Sequence, residues 1–179
     1  MSNPDIASRF DTIYSSTKKL TLAFITAKCG HTADINDIFQ ETYMELYAIM
    51  SKRGADYVTN EKALVLKLAK QKISRYYKLF DRLRNFVSLT STNEDGDEVE
   101  QLDFKEDNFL MEDFAVNNIL LETARQFIKS KSETVKKVFY LFYDVDLSIP
   151  EIAQALSINE SSVKNSIYRT LKELRNLLS

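Results

Sequence analysis

The chain has 179 residues, of which 44% are hydrophobic and 28% charged, so it can bury a core beneath a well-solvated surface. Only 3 glycines and 2 prolines are present, which disfavours turn-rich β folds and Gly-rich phosphate loops. One cysteine, Cys29, excludes an intramolecular disulfide, and no run of 18 apolar residues could span a membrane. The scarcity of helix breakers predicts an all-α fold. Because the first residues also lack a signal-peptide pattern, we predict a cytoplasmic protein.

The net charge of −2 conceals an uneven distribution along the chain. Residues 1–92 carry 14 basic and 9 acidic groups, and residues 116–179 carry 9 basic and 7 acidic groups. Between them, residues 93–115 carry 1 basic and 10 acidic groups. The local balance matters more than the sum, because charges act within a Debye length of about 8–10 Å. We therefore predict two small helical domains, 1–92 and 116–179, joined by a solvated acidic linker, 93–115.

Apolar residues recur at helical spacing throughout the first domain. They predict one or two helices near the N-terminus, then a helix over 35–50 that Asp34 or Asn36 can cap. A third helix is predicted over 61–84, after a loop at 51–60.

The third predicted helix is strongly basic, with 8 basic residues against one acidic residue over 62–84. Lys67, Lys70, Ser74 and Lys78 share one face. Tyr76 and Tyr77 interleave with the cations, and this combination suits nucleic acid, because cations hold phosphates while rings stack on bases. The alternative is a solvated charged face with tyrosines in the core.

Four helices are predicted after the linker. The first covers about 112–130, and the second carries apolar residues over 135–142. The third begins at Ser148 with a capping-box pattern, because Glu151 follows three residues later and Pro150 occupies the first turn. The fourth follows Asn159 and continues to about residue 178.

The last two of these helices fit a helix-turn-helix over 149–168. Small and apolar residues recur where the two helices would cross, and Ser157 stands where the turn usually has glycine. The second helix would present small polar residues at its N-terminus, followed by Lys164 and Arg169, which suit phosphates or guanine edges. The alternative is a pair of packed helices with a solvated polar face.

The ordered set of motifs resembles the extracytoplasmic-function sigma factors, the small sigma-70 class that retains only regions 2 and 4. The segment NDIFQETY at 36–43 is similar to the DLVQExF signature of region 2, and LVLKLAKQ at 64–71 lies where the family shows WLxxIAxN. The run over 138–153 is similar to the start of region 4, and SVKNSIYR at 162–169 resembles TVKSRLxR.

The resemblance implies a bacterial alternative sigma factor that binds core RNA polymerase, through the β′ clamp and the β flap, and directs transcription from promoters. Residues 1–92 would act as region 2 and residues 116–179 as region 4. The implied polymerase contacts are Asp37, Gln40, Glu41 and Met44. The implied contacts to the −10 element are Lys52, Arg53, Tyr57, Lys67, Lys70, Gln71, Ser74 and Lys78. The implied contacts to the −35 element are Ser161, Ser162, Lys164, Asn165, Tyr168 and Arg169.

Two further expectations follow from the resemblance. The acidic linker would thread through polymerase channels whose basic walls are meant for nucleic acid; the alternative is a plain solvated tether. An anti-sigma factor would be a further partner, although no residue identifies one.

Other classes of function find little support in the sequence. His31 is the only histidine, and Cys29-Gly30-His31 falls short of a closed metal site. We therefore predict no catalytic residue, metal or cofactor. Two non-enzymatic alternatives remain: a stand-alone helix-turn-helix regulator that uses residues 1–92 for sensing or dimerisation, and a helical adaptor without a DNA role.

Overall fold

The computed structural model describes residues 4–87 and 122–178, and all regular elements within these ranges are helical. The prediction of an all-α chain is confirmed for this part. The acidic linker at 93–115 lies outside the described residues, so the domain boundaries stay predictions. The first group of helices comprises α1 (Pro4–Lys28), α2 (Ile35–Arg53) and α3 (Glu61–Val87), with short 3-10 turns at Thr32–Asp34 and Ala55–Tyr57.

The second group of helices follows residue 121. The described residues of α4 are 122–129, so the predicted start of this helix near residue 112 falls outside the described part. The other elements are α5 (Glu133–Phe139), a π-helical turn (Tyr140–Asp144), α6 (Ile149–Leu156) and α7 (Glu160–Leu178).

Local sequence signals set the ends of α6 and α7 as predicted. Glu151 Oε2 accepts hydrogen bonds from Ser148 N at 2.8 Å and from Ser148 Oγ at 2.6 Å, which closes the first turn of α6. Ser157 then adopts a left-handed conformation, φ 56° and ψ 43°, and stops the helix. Asn159 Oδ1 accepts from Ser162 N at 2.7 Å and thereby caps α7.

Asp34, one of the two predicted caps of α2, occupies the N-cap position without the bond expected of it. Its carboxylate instead accepts hydrogen bonds from Tyr76 Oη at 3.0 Å and from Tyr77 Oη at 3.1 Å. Asp34 therefore ties the start of α2 to α3, because two hydroxyl donors from a distant helix replace the local amide.

Each half of the chain has its own buried apolar clusters. In the first half, one cluster surrounds Leu46 and Met50 and a second surrounds Ile25 and Ile38. In the second half, a single cluster surrounds Ile152, to which α5, α6 and α7 all contribute. The two halves also contact each other through α1 and α6. The clusters of fully buried residues thus lie in different halves, and half-buried side chains such as Leu22 and Tyr140 pack against the cluster of the opposite half.

Candidate promoter and polymerase interfaces

The helix-turn-helix has a locked interior and an open polar face. Ile152, Val163 and Ile167 are buried where α6 crosses α7, and Ala153 is small at the same crossing. Leu156 and Ile158 close the rest of this interior while half-buried. All six residues predicted to contact the −35 element lie on the opposite, exposed side of α7: Ser161, Ser162, Lys164, Asn165, Tyr168 and Arg169.

The N-terminal turn of α7 is preorganised by its cap. Asn159 Oδ1 accepts from Ser161 Oγ at 2.8 Å as well as from the Ser162 amide, so both serines are fixed at the helix start. Lys164 Nζ lies 3.9 Å from Glu160, a weak pair one turn apart on the solvent side. Tyr168 is 66% exposed, which is unusual for a tyrosine without a partner surface.

The basic face of α3 is exposed as predicted. Lys67, Lys70, Ser74 and Lys78 all lie in solvent, and Gln71 lies beside them. Among the side chains that the structure describes, none of these cations forms an ion pair with a carboxylate. Such a row of unneutralised charges is available for a phosphate backbone.

Lys72, on the other side of α3, behaves differently from the exposed row. Its side chain is only 15% exposed, and Nζ lies 3.5 Å from Glu41 and 3.4 Å from Glu45 of α2. This lysine therefore ties α3 to α2 and is not available to a ligand.

The two tyrosines of α3 favour the structural alternative. Tyr77 Oη accepts from Gly30 N at 2.6 Å while it donates to Asp34, and Tyr76 also donates to Asp34. Burial, reinforced by the Asp34 carboxylate, raises the pKa of each tyrosine to about 12. Both rings are thus committed to packing, and neither lies on the exposed basic row.

An aromatic ring is present in the loop between α2 and α3 instead. Tyr57 is 47% exposed, and its hydroxyl accepts a hydrogen bond from Arg53 Nη1 at 2.8 Å. The same guanidinium lies 4.6 Å from the ring centroid, so Arg53 supports the ring as a cation–π partner. Lys52 is exposed one residue earlier, at the end of α2.

The predicted polymerase contacts form one exposed stripe on α2. Asp37, Gln40, Glu41 and Met44 are spaced by one helical turn, and Met44 is 62% exposed. The opposite side of the helix is buried at Ile38 and Leu46.

An aromatic groove borders this stripe, and sequence analysis missed it. The groove has a volume of about 480 Å³ and is lined by Phe10, Tyr14, Phe39, Gln40, Tyr43, Met44 and Tyr47. Its rings meet edge to face, as between Tyr14 and Tyr43 at 4.9 Å and between Phe10 and Tyr47 at 5.3 Å. The sequence does carry a signal for it, an aromatic series at four-residue spacing on both helices: Phe10 and Tyr14 on α1, and Phe39, Tyr43 and Tyr47 on α2.

The described ranges hold neither a metal-binding cluster nor a membrane-spanning helix. Residues 4–87 and 122–178 contain no group of three or more His, Cys, Asp or Glu side chains placed to hold a metal ion. No helix in those ranges is both long enough and apolar enough to cross a membrane.

Comparison with known proteins gave matches to solved structures and to one family model. No curated protein matches the chain. Among solved structures it is similar to the sigma factor RpoE in complex with the anti-sigma factor NepR from Bartonella quintana, with 14% identity over 94% of this chain and 96% of that chain and a TM-score of 0.46. It is also similar to CnrH in complex with the cytosolic domain of CnrY, with 16% identity over 97% of this chain and 94% of that chain and a TM-score of 0.40.

The family model of sigma-70, region 4, matches residues 132–174. This range contains α5, α6 and most of α7, and therefore the whole helix-turn-helix. The predicted relationship to sigma factors is thereby confirmed in this segment, and the second half of the chain carries a sigma-70 region 4 domain.

Proposed function

We propose that the chain is a bacterial alternative sigma factor, which binds core RNA polymerase and directs it to a set of promoters. The observation that carries the proposal is the region 4 match on a helix-turn-helix whose predicted DNA-contacting residues are all exposed. The exposed cation row on α3 supports a second DNA contact in the other half of the chain.

In this proposal α7 reads the −35 element from the major groove. Its capped N-terminal turn brings Ser161 and Ser162 to the base edges, and Asn165 follows one turn later. Lys164 and Arg169 contact phosphates or guanine, and a bidentate contact of this kind discriminates by about 1–3 kcal/mol. Tyr168 extends the same exposed surface.

The −10 element is captured by the other half of the chain as single-stranded DNA. Lys67, Lys70 and Lys78 bind the backbone, with Gln71 and Ser74 between them as hydrogen-bonding groups. Flipping a base costs a few kcal/mol, which the loop between α2 and α3 must offset. Tyr57 supplies the stacking surface there, held by Arg53 and flanked by Lys52.

The stripe on α2 binds the β′ clamp of the polymerase, while region 4 binds the β flap. Asp37 and Glu41 complement a basic surface, and Gln40 and Met44 continue the stripe into the aromatic groove. All these partners place the protein in the bacterial cytoplasm.

An anti-sigma factor is a further proposed partner. A cleft of about 520 Å³ lies between α1 and α6, and its walls include Leu20, Phe24 and Leu156. Leu20 is 41% exposed, so the cleft offers apolar surface from both halves to one inhibitor segment.

Transcription with purified core polymerase on genomic DNA tests the proposal. Addition of the chain should produce new transcripts whose start sites share two upstream elements. Replacing Lys164 and Arg169 together with Ala should lower their yield at least tenfold while core binding is kept. The matched control is K129A with K172A, which removes the same charge from exposed positions outside the predicted contacts.

A second pair of variants tests the polymerase stripe. D37A should weaken capture by core polymerase, whereas D56A, an equal change of charge elsewhere, should not. Tight, sequence-specific binding to duplex DNA without core enzyme would instead support the stand-alone regulator. Failure to bind either DNA or polymerase would support the helical adaptor.

A further inference from the structure

Three charged side chains meet where α2 packs against α3, and one of them belongs to the polymerase stripe. Lys72 Nζ lies 3.5 Å from Glu41 Oε2 and 3.4 Å from Glu45 Oε2. Glu41 and Glu45 are one helical turn apart on α2, whereas Lys72 comes from α3. Two carboxylates thus share a single ammonium group, which leaves one of their negative charges uncompensated.

The lysine is the fixed member of this cluster. Its side chain is only 15% exposed, so most of its methylene chain is out of solvent and anchors the ammonium group. The side chains of Glu41 and Glu45 are 58% and 44% exposed, and neither is held in place by burial. The position of the two carboxylates is therefore set by the ammonium group between them.

The two glutamates make different contacts with this ammonium group. Glu45 Oε2 accepts a hydrogen bond from Lys72 Nζ at 3.4 Å. Glu41 is held as an ion pair at 3.5 Å, while more than half of its side chain faces solvent. Glu45 already joins α2 to α3 through its hydrogen bond. The contact to Glu41 adds the placement of an exposed carboxylate on the surface proposed to bind polymerase.

Loss of the ammonium group would leave the two carboxylates facing each other without a counter-charge. Like charges at positions i and i+4 of a helix repel each other. Glu41 would reduce this repulsion by turning away from Glu45 and sampling other rotamers. Because ordering a side chain on binding costs free energy, a carboxylate that is already held binds its partner more tightly than a mobile one.

We propose that Lys72 is a positioning residue for polymerase binding: it holds the Glu41 carboxylate ready for a basic group of the polymerase clamp, while Glu45 keeps the lysine in place. This inference rests on the proposed function. It gives the two sides of α3 different tasks, because the exposed cation row is available to DNA, whereas Lys72 serves the surface of α2.

The kinetics of core polymerase binding test this role. K72M removes the ammonium group and keeps an apolar chain of similar length. Association should be unchanged or slightly faster, because the stripe becomes more negative, whereas dissociation should be about 3- to 10-fold faster, because Glu41 is no longer held. The control K62M removes the same charge from an exposed position of α3 outside the predicted contacts and should dissociate like the parent.

A double-mutant cycle separates positioning of Glu41 from support of the fold. If Lys72 acts through Glu41, E41Q/K72M should dissociate no faster than E41Q, since a neutral amide leaves the lysine no charge to hold. A lysine that only joined α2 to α3 would add its effect to that of E41Q. Additive effects, or a dissociation rate of K72M equal to that of the parent, would overturn the positioning role.

The order of the Glu41 side chain is measured in the free protein, without polymerase. Three-bond NMR couplings across its Cα–Cβ bond should report one rotamer in the parent and in K62M, and an average of several rotamers in K72M. An averaged Glu41 in the parent would overturn the proposal. Absence of core binding by the parent would refute the proposed function, and the couplings would still decide whether Lys72 orders Glu41.

Discussion

The two halves of the molecule build their proposed DNA-binding surfaces in different ways. In the second half, the contacts that shape the helix-turn-helix join residues close in sequence, such as Ser148 with Glu151 and Asn159 with Ser162. In the first half, the ordering contacts join distant helices, such as Asp34 with Tyr76, 42 residues apart. A DNA-binding surface whose contacts are local in sequence can be predicted from a short motif. A surface assembled from three helices cannot.

The family match follows the same division. The region 4 model matches residues 132–174, which lie in the locally specified half, and the resemblance of the first half to region 2 rests on short motifs. A surface that depends on long-range contacts tolerates many sequences, provided that the helices meet at the same angles. The comparison therefore predicts that the two halves respond differently to mutation.

The largest expected effect comes from deleting a core side chain in each half. Ile152 and Leu46 are both fully buried, at the centres of different clusters. I152A and L46A should each lower the free energy of unfolding by about 2–5 kcal/mol, through lost apolar contacts and a residual cavity. Amide hydrogen exchange should show I152A exposing α5 to α7 first and L46A exposing α1 to α3 first.

Equal loss of protection in both halves for both variants would contradict this comparison. The chain would then unfold as one cooperative unit, and the separate clusters would have no independent stability. The exposed substitution K129A is the control and should change stability by less than about 0.5 kcal/mol.

A smaller effect is expected at Asp34, which accepts hydrogen bonds from two tyrosines of the first half. D34A removes the carboxylate that accepts from both Tyr76 and Tyr77 and should cost about 1–3 kcal/mol, because two partly buried hydroxyl groups lose that acceptor. D37A, an exposed aspartate in the next turn, is the matched control and should cost less than about 0.5 kcal/mol. Chemical denaturation measures both. Equal costs would show that Asp34 acts only through its charge near the start of α2.

Sequence analysis predicted the helices and the helix-turn-helix because their determinants are local. Apolar spacing located all three helices of the first half, and the capping residues Ser148 and Asn159 fixed the ends of α6 and α7. The predicted DNA and polymerase contacts also lie on exposed faces, because the helical period alone decides which side of a helix faces the core.

The same reasoning could not give the partners of side chains across helices. Asp34 has the sequence signature of a helix cap, yet donors more than 40 residues away determine its bonds. The aromatic groove requires Phe10 of α1 to meet Tyr47 of α2, and the hydrogen bond from Thr32 to Glu133 requires α5 to reach the turn after α1. These features depend on how the helices pack, which periodicity does not specify.

A still smaller effect should appear in the turn of the helix-turn-helix. Ser157 holds φ 56°, a conformation that glycine adopts without steric cost. S157G should therefore raise the free energy of unfolding by about 0.5–1 kcal/mol, although glycine also gains freedom in the unfolded chain. Q154G, in the exposed middle of α6, should lower it by about 1 kcal/mol. Thermal unfolding compares the two, and destabilisation by S157G would show that the serine makes a compensating interaction.

The smallest expected effect is the pH dependence of the contact between the halves at Glu133. Burial disfavours its charge, but the bonds from Lys136 and from the Thr32 amide, with His31 nearby, outweigh it and lower the pKa below 4.5. A carboxyl group whose pKa is lower in the folded state stabilises that state at pH values above its pKa in the unfolded state. This stabilisation is lost as the pH falls through the pKa of the folded state.

The difference in stability between the parent and E133Q isolates this contribution, since the other carboxylates titrate in both proteins. The difference should shrink as the pH falls below about 4.5. Thermal unfolding across that range measures it, and a difference that grows on acidification would reverse the assigned direction. Because the Glu133 side chain is one-third exposed, solvent screening keeps the effect below those of the core and tyrosine variants.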